Sequence, residues 1–245
     1  MRMKNIVIIG GNRGVGYEVV KACLKNGYRV AAACKEAEDS FPIQGNDQLL
    51  IRSFDLRDID KCVKFIEEVL NVWQKIDGVV FYAGITPLSG LVDCTEELYN
   101  SILDINLKST FFITQTALKS MMNQGGSFVF FGTSHMESGQ IDRAAYAISK
   151  GGVKVLAEHL ARRYAKHHIR ANTIVMGWTP TEGELALRES LGVSKEELDA
   201  EASAYVPMGR MLTVTDPIPA VMYFLSDESF MVTGSSIRVN GGEYI

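Results

Sequence analysis

Ile6-Val7-Ile8-Ile9-Gly10-Gly11-Asn12-Arg13-Gly14-Val15-Gly16 places four consecutive apolar residues directly before a glycine-rich turn. A short apolar run of this kind reads as a strand covered on both faces. Beyond the turn, Val15, Val19, Ala22 and Cys23 recur at helical spacing, and Asn26-Gly27 stops the run. Glycines between a first strand and a first helix permit a tight turn, close approach of backbone to a phosphate, and close helix–strand packing. The helix N-terminus adds free N–H groups and a partial positive charge. Gly10, Asn12, Arg13, Gly14, Val15 and Gly16 are therefore the first candidate binding residues. Such a turn also serves packing alone, but its position as the opening of a helix favours binding. The spacing G-x-x-x-G-x-G, with no Gly-Lys-Ser/Thr after it, is not a P-loop.

The same rhythm continues outward. The pattern predicts strands at Val30–Ala33, Leu49–Phe54, Gly78–Tyr82, Phe128–Phe131, Ala171–Val175 and Ser236–Val239. Helices are predicted over 58–74, over two stretches sharing 96–123, and over 146–167. A last helix is predicted from Asp216, with Pro217 in its first turn, where a missing N–H costs nothing. Strands alternating with helices mean parallel β-α-β units. The expected fold is α/β: a single doubly wound, Rossmann-type parallel sheet with helices on both faces. No linker or repeat divides residues 1–245, so one domain is expected, with residues 179–206 as a lid over the substrate.

Bulk properties narrow the function. Apolar residues make up 47% and charged residues 22%, with a net charge of −4. That balance gives no reason to bind nucleic acid or an anionic membrane. The cysteines Cys23, Cys34, Cys62 and Cys94 form no C-x-x-C pair, so neither a zinc site nor a redox dithiol is expected. They read as reduced thiols. The apolar run Ile6–Ile9 is too short for a signal-peptide core. Nothing approaches the roughly 20 apolar residues of a membrane span. The expected location is the cytoplasm.

An acid at the end of the second strand would bind the ribose 2′-hydroxyl of NAD. The chain instead reads Ala33-Cys34-Lys35. Lys35 and Arg13 can face a 2′-phosphate, so NADP(H) is expected ahead of NAD(H). Asp55 and Leu56 follow the third strand. Asp55 suits the adenine amino group, or a helix cap in Asp-Leu-Arg-Asp. Tyr146 and Lys150, four apart, share one face of a helix. A phenol ordinarily ionises near pH 10. An adjacent ammonium lowers that value and makes Tyr146 a usable acid or base. The bland alternative is an ordinary surface pair.

With these residues in view, the chain resembles the short-chain dehydrogenase/reductase family from Lys4 to about Tyr244. Gly10, Gly14 and Gly16 match its glycine turn, and Tyr146 and Lys150 match its catalytic pair within Tyr-Ala-Ile-Ser-Lys-Gly. Asn106 matches its catalytic Asn, and Ser134 its Ser. Gly177-Trp178-Thr179-Pro180-Thr181 resembles its nicotinamide-contacting turn, and Val232 through Gly242 its C-terminal signature. The resemblance implies that Tyr146 exchanges a proton with the substrate oxygen. It implies that Lys150 lowers the Tyr146 pKa and holds the nicotinamide ribose, and that Ser134 steadies the carbonyl oxygen. Asn106 would hold a water linking Lys150 to solvent. Backbone at Ala83 and Gly84, together with Gly177, Thr179 and Thr181, would contact the cofactor. Thr133 lies thirteen residues before Tyr146, the commoner family interval, and Ser134 twelve; the expectation stays with Ser134. His135 and His159 read as loop and helix-surface residues.

Three positions depart from the family pattern. Ile9 stands for a Thr, Phe81-Tyr82 for Asn-Asn, and Met176 for a Pro. The first two remove side-chain hydrogen bonds to the cofactor loop, and Tyr82 adds bulk there. Ser194-Lys195-Glu196-Glu197 is a capping box inside the lid. Of the lid acids Glu182, Glu184, Glu189, Glu196, Glu197, Asp199 and Glu201, most read as a solvated face and not as substrate ligands. Leu185, Leu187, Leu191, Leu198 and Tyr205 either line a pocket or pack the lid. The resemblance implies a homo-oligomer, a tetramer or dimer, formed through the helices carrying Asn106 and Tyr146. The expected reaction is NADP(H)-dependent exchange of a small-molecule carbonyl and alcohol. One alternative is a 3-oxoacyl-thioester reductase, for which Arg162, Arg163, Lys166 and Arg170 offer a basic patch. The other is a sensor that binds NADP(H) without chemistry.

Overall fold

The computed structural model describes residues 3–139, 142–180, 185 and 188–243. The expected lid residues Thr181, Glu182, Glu184 and Leu187 lie outside them. The elements run β1 (Asn5–Ile9), α1 (Gly14–Lys25), β2 (Arg29–Cys34), β3 (Leu49–Ser53), α2 (Ile59–Trp73), β4 (Gly78–Phe81), α3 (Glu96–Leu103) and α4 (Ser109–Met121). They continue with β5 (Gly126–Thr133), α5 (His135–Ser138), α6 (Ala144–Tyr164), β6 (Ile169–Met176), α7 (Lys195–Tyr205), α8 (Ile218–Leu225) and β7 (Ser236–Val239). All strand pairs are parallel, in the order β3-β2-β1-β4-β5-β6-β7. The doubly wound sheet expected from the sequence is present.

Alternation along the strands divides the core. Val7, Ile9, Val79, Phe81, Phe128 and Phe130 face α2, α4 and α6, where Phe65, Ile66, Ile113 and Leu160 close the layer. Ile6, Ile8, Val80, Val129 and Ile174 face α1 and α8, against Val15, Val19, Val20, Val221 and Phe224. Apolar residues at both parities are what a sheet covered on both faces requires. Cys23, Cys34 and Cys62 are free and buried, and desolvation pushes their thiols up to about 12, 11 and 12.

Boundaries moved where tertiary contacts act. Helix α8 begins at Ile218, after Pro217, two residues later than the sequence predicts. The stretch over 96–123 is continuous, but α3 and α4 are joined by a π-helical turn, Asp104–Lys108, that holds Asn106. Asp58, not Asp55, caps α2, by accepting from the Lys61 N–H. Ser194 and Glu197 form the expected capping box on α7. No helix among the described residues is long and apolar enough to cross a membrane.

The strand order reverses between β1 and β4. In open parallel sheets the crevice beyond the strand ends at that point is where ligands bind.

Candidate active site

A cavity of about 870 Å³ opens there, in the size range of cofactor and ligand pockets. Its lining includes residues at or just past the strand ends: Gly10 after β1, Cys34 closing β2, Asp55 after β3, Ala83 after β4, Thr133 closing β5, and Met176 closing β6. Tyr146 and Lys150 of α6 enter it from one side.

At one end lies the glycine turn. Gly10 has φ +91° and Gly14 φ +55°, conformations that side chains rarely adopt. A Cβ on Gly10 would stand 2.7 Å from the Ala83 nitrogen, so the turn is pressed against the loop after β4. Asn12, Arg13, Gly14 and Lys35 line this end, while Val15 is fully buried. Gly16 packs directly under the turn. Sequence reasoning stopped at Cys34-Lys35 and missed the next residue. Glu36 lines the cavity, accepts from Asn12 Nδ2 at 2.6 Å and faces Arg13 at 3.6 Å. Its carboxylate turns back onto the glycine turn, a path that strand periodicity does not reveal. Asp55 and Leu56 also line the cavity. The Arg57 side chain and N–H hold the Asp55 carboxyl down at about 2.

Tyr146 and Lys150 both line the cavity. Lys150 is buried, and its ammonium donates to the Phe131 carbonyl at 3.0 Å. Burial lowers its pKa to about 8. Burial raises the Tyr146 phenol, and the nearby Tyr82 phenol adds to that; the Thr133 hydroxyl and the Arg143 charge pull it back. Arg143, which the sequence reading did not single out, is thus a cation that acts on the Tyr146 phenol in this structure. Arg143 precedes α6, lines the cavity and donates to Thr86 Oγ1 at 2.7 Å. His135 also lines the cavity, its ring edge-on to Tyr146 at 6.1 Å. It stands at the start of α5, in the turn that follows β5.

Ser134 does not stand where it was expected. Its hydroxyl donates to the Met176 carbonyl at 3.1 Å, and the residue is outside the cavity lining. Thr133 lines the cavity and faces the Tyr146 hydroxyl, while its Oγ1 accepts from the His135 N–H at 3.3 Å.

Asn106 lies beneath, one layer removed. Its Oδ1 accepts from the Ile85 N–H at 2.8 Å, and its Nδ2 donates to the Ile85 carbonyl at 2.9 Å and to Ser149 Oγ at 3.1 Å. Thr110 takes its backbone carbonyl at 2.9 Å. Both amide protons are thus engaged within the chain, and Asn106 pins the loop after β4 to α6 between Tyr146 and Lys150. That loop carries Gly84, where a Cβ would stand 3.0 Å from Asn106 Oδ1 and 3.6 Å from Lys150 Nζ.

The far end is built by Gly177, Trp178, Thr179, Arg188, Glu201, Tyr205 and Glu243. Glu243 accepts from the Trp178 N–H at 2.7 Å, and burial raises its pKa. Arg188 stacks over Trp178 and faces Glu201 at 3.5 Å, and Glu201 is exposed. Leu198 packs on Trp178 and Met211 inside the lid, Leu185 and Leu191 are exposed, and Tyr205 reaches the cavity. The basic patch expected near the cleft is elsewhere. Arg162, Arg163 and Lys166 follow Tyr146 by sixteen residues or more. At about 1.5 Å per residue they lie roughly 24 Å along the helix axis and beyond. Arg170 is held by Ser229 Oγ and the Phe224 and Ser226 carbonyls.

A half-buried phenol and a buried ammonium line the crevice at the switch point of a parallel sheet, and the comparisons place the chain among α/β oxidoreductases. A family model described as enoyl-(acyl carrier protein) reductase matches residues 9–243. The chain belongs to the short-chain dehydrogenase/reductase family. It is 28% identical to an acetoacetyl-CoA reductase of Acinetobacter sp., over 99% of this chain and 98% of the relative. It is likewise 28% identical to a 3-oxoacyl-(acyl-carrier-protein) reductase of Staphylococcus aureus, over 99% and 98%. The solved structure of ElxO with NADP bound superposes with a TM-score of 0.90 at 23% identity, covering 99% of each chain.

Proposed function

We propose that this chain is an NADP(H)-dependent oxidoreductase that interconverts a carbonyl compound and its alcohol. The observation that carries the reading is the convergence of Tyr146, Thr133 and buried Lys150 on the lining of one continuous cleft. The glycine turn, where a Cβ on Gly10 would strike Ala83, fits the close backbone approach that a dinucleotide diphosphate makes. Arg13 and Lys35 supply charge for a 2′-phosphate, and Asp55 an acceptor for the adenine amino group. Ala83, Gly84, Gly177 and Thr179 line the nicotinamide half of the cleft. The family resemblance adds Thr181. When bound, the dinucleotide supplies or accepts the hydride.

The protein's own part is placement and proton transfer. Tyr146 gives a proton to the substrate oxygen in reduction and takes it back in oxidation. Thr133, rather than Ser134, donates to that oxygen as charge grows on it. Lys150 balances the phenolate that forms. Asn106 is a positioning residue, holding the loop at Gly84 against Lys150. Of the lid residues described, Arg188, Glu201 and Tyr205 line the substrate end of a single domain. The curated relatives favour a small 3-oxoacyl thioester as a second, narrower reading of the substrate. A homo-oligomer formed through α4 and α6 is supported by the outward apolar residues Phe111, Ile148 and Val155. The buried free thiols support a cytoplasmic location.

A panel of ketones, aldehydes, sugars and acetoacetyl-CoA, followed by loss of NADPH absorbance, tests the reading. Turnover with NADPH ahead of NADH is expected; preference for NADH refutes the cofactor assignment, and no turnover on any carbonyl class refutes the activity. The two hydroxyls separate in the same assay. Thr133→Val is expected to lower kcat by about 10²-fold or more, the loss typical of a donor to a developing oxyanion. Ser134→Ala should leave kcat within a few-fold and lower stability by about 1 kcal/mol, since it loses only the bond to Met176. The reverse pattern would restore Ser134 to the chemistry.

A further inference from the structure

Tyr82 replaces a small amide of the family pattern with a ring, and the ring has a definite place. It follows β4 and stands edge-on to Phe131, centroids 5.3 Å apart. From there it lies along the glycine turn. A Cβ on Gly14 would be 3.3 Å from the Tyr82 hydroxyl oxygen, and one on Gly16 would be 2.9 Å from its Cδ1. The hydroxyl therefore reaches the first turn of α1, where the Val15 N–H faces it.

Arg13, the N-cap residue, makes no side-chain cap bond, and the first turn carries no acid. A helix N-terminus leaves N–H groups that need acceptors, and the phenol oxygen is one. In this fold the same N–H groups receive a dinucleotide diphosphate. Tyr82 also lines the cavity, so its ring and a diphosphate draw on one space and one donor.

We infer that Tyr82 is a built-in competitor at the cofactor site: its hydroxyl caps α1 where a diphosphate would bind, and cofactor binding displaces it. The inference rests on the dinucleotide reading above. It identifies Tyr82 as a positioning residue that sets cofactor affinity, because the apparent dissociation constant is the intrinsic one divided by the fraction of molecules in which the phenol leaves the site open.

Equilibrium titration of NADPH by fluorescence, in the wild-type chain, Tyr82→Phe and Tyr82→Ala, tests it. Tyr82→Phe keeps the ring on Phe131 and removes only the acceptor, so binding is expected to tighten by about 2- to 10-fold, the worth of one net hydrogen bond. Tyr82→Ala also clears the ring and should bind more tightly still, with a lower melting temperature. Inorganic pyrophosphate, used as a probe of the diphosphate subsite alone, should compete with NADPH and gain affinity in the same order. Should Tyr82→Ala fail to fold, Tyr82→Phe carries the test. Unchanged or weaker binding of both ligands by Tyr82→Phe, with the wild-type chain binding NADPH, overturns the competitor role and leaves the dinucleotide reading intact. Failure of every chain to bind NADPH removes the dinucleotide reading, and this inference with it.

Discussion

Tyr146→Phe is expected to lower turnover by about two to four orders of magnitude, the usual worth of a positioned acid or base, while NADPH binds within a few-fold of the wild-type chain. The substitution keeps the ring, and with it the edge contact to His135. It deletes only the oxygen that faces Thr133. The glycine turn, Lys35 and Asp55 are untouched at the other end of the cleft. A protein that merely sensed the dinucleotide would show no change in its response. Retained turnover in Tyr146→Phe would mean that the proton comes from elsewhere, and the assignment would fail.

The same pair sets a pH dependence. In the proposed mechanism carbonyl reduction takes a proton from Tyr146, so the phenolate that remains needs a cation near it. Lys150, brought down to about 8 by burial, loses its charge as pH rises through that value. kcat/KM for reduction should therefore fall above about pH 8. Stability runs the other way. Lys150 ionises at 10.5 when exposed and about 8 when buried, so between those values the unfolded chain binds more protons than the folded one. Stability then rises with pH across that window. The active-site amine costs the fold stability at neutral pH, where its charge serves the chemistry.

Local features were legible in the sequence; orientation was not. The apolar run Ile6–Ile9 and the glycines after it announce a strand and turn by themselves, because their cause is local. Tyr146 and Lys150 were legible as a pair, since helical geometry alone puts residues four apart on one face. Ser134 and Thr133 were not separable. They are neighbours where β5 gives way to α5, and which hydroxyl meets Tyr146 depends on how α6 crosses that point. Glu36 follows β2 and folds back onto Asn12, a path that periodicity does not encode. Tyr82 was visible as a departure, but the direction of its ring is fixed by Phe131 on a strand forty-nine residues away.

Gly16→Ala should be the most disruptive single methyl in the chain's binding end. The backbone of Gly16 is ordinary, so no conformational penalty applies; the obstacle is space. An added Cβ would stand 1.8 Å from the Gly10 carbonyl oxygen and 2.9 Å from Tyr82 Cδ1. Neither side can retreat. The Gly10 and Gly11 N–H groups are bonded to the Ala33 carbonyl at 2.8 and 3.2 Å, which ties the turn to β2. On its other flank, Gly10 is already against Ala83. Helix α1 is held to the sheet by Val15, Val19, Val20 and Cys23, all fully buried. Moving the helix to relieve the clash would open that layer. Overpacking of this severity is expected to cost about 3 kcal/mol or more, with NADPH binding lost because the turn and the α1 N-terminus part. Gly27→Ala is the control. Gly27 has φ +73° but nothing within 4 Å of an added Cβ, so it should lose only the 1–2 kcal/mol or so of left-handed strain and keep cofactor binding. Urea denaturation with parallel NADPH titration compares the two. If Gly16→Ala proved no less stable than Gly27→Ala and still bound NADPH, the tight seating of α1 beneath the turn would be wrong, and so would the account of how this turn meets a diphosphate.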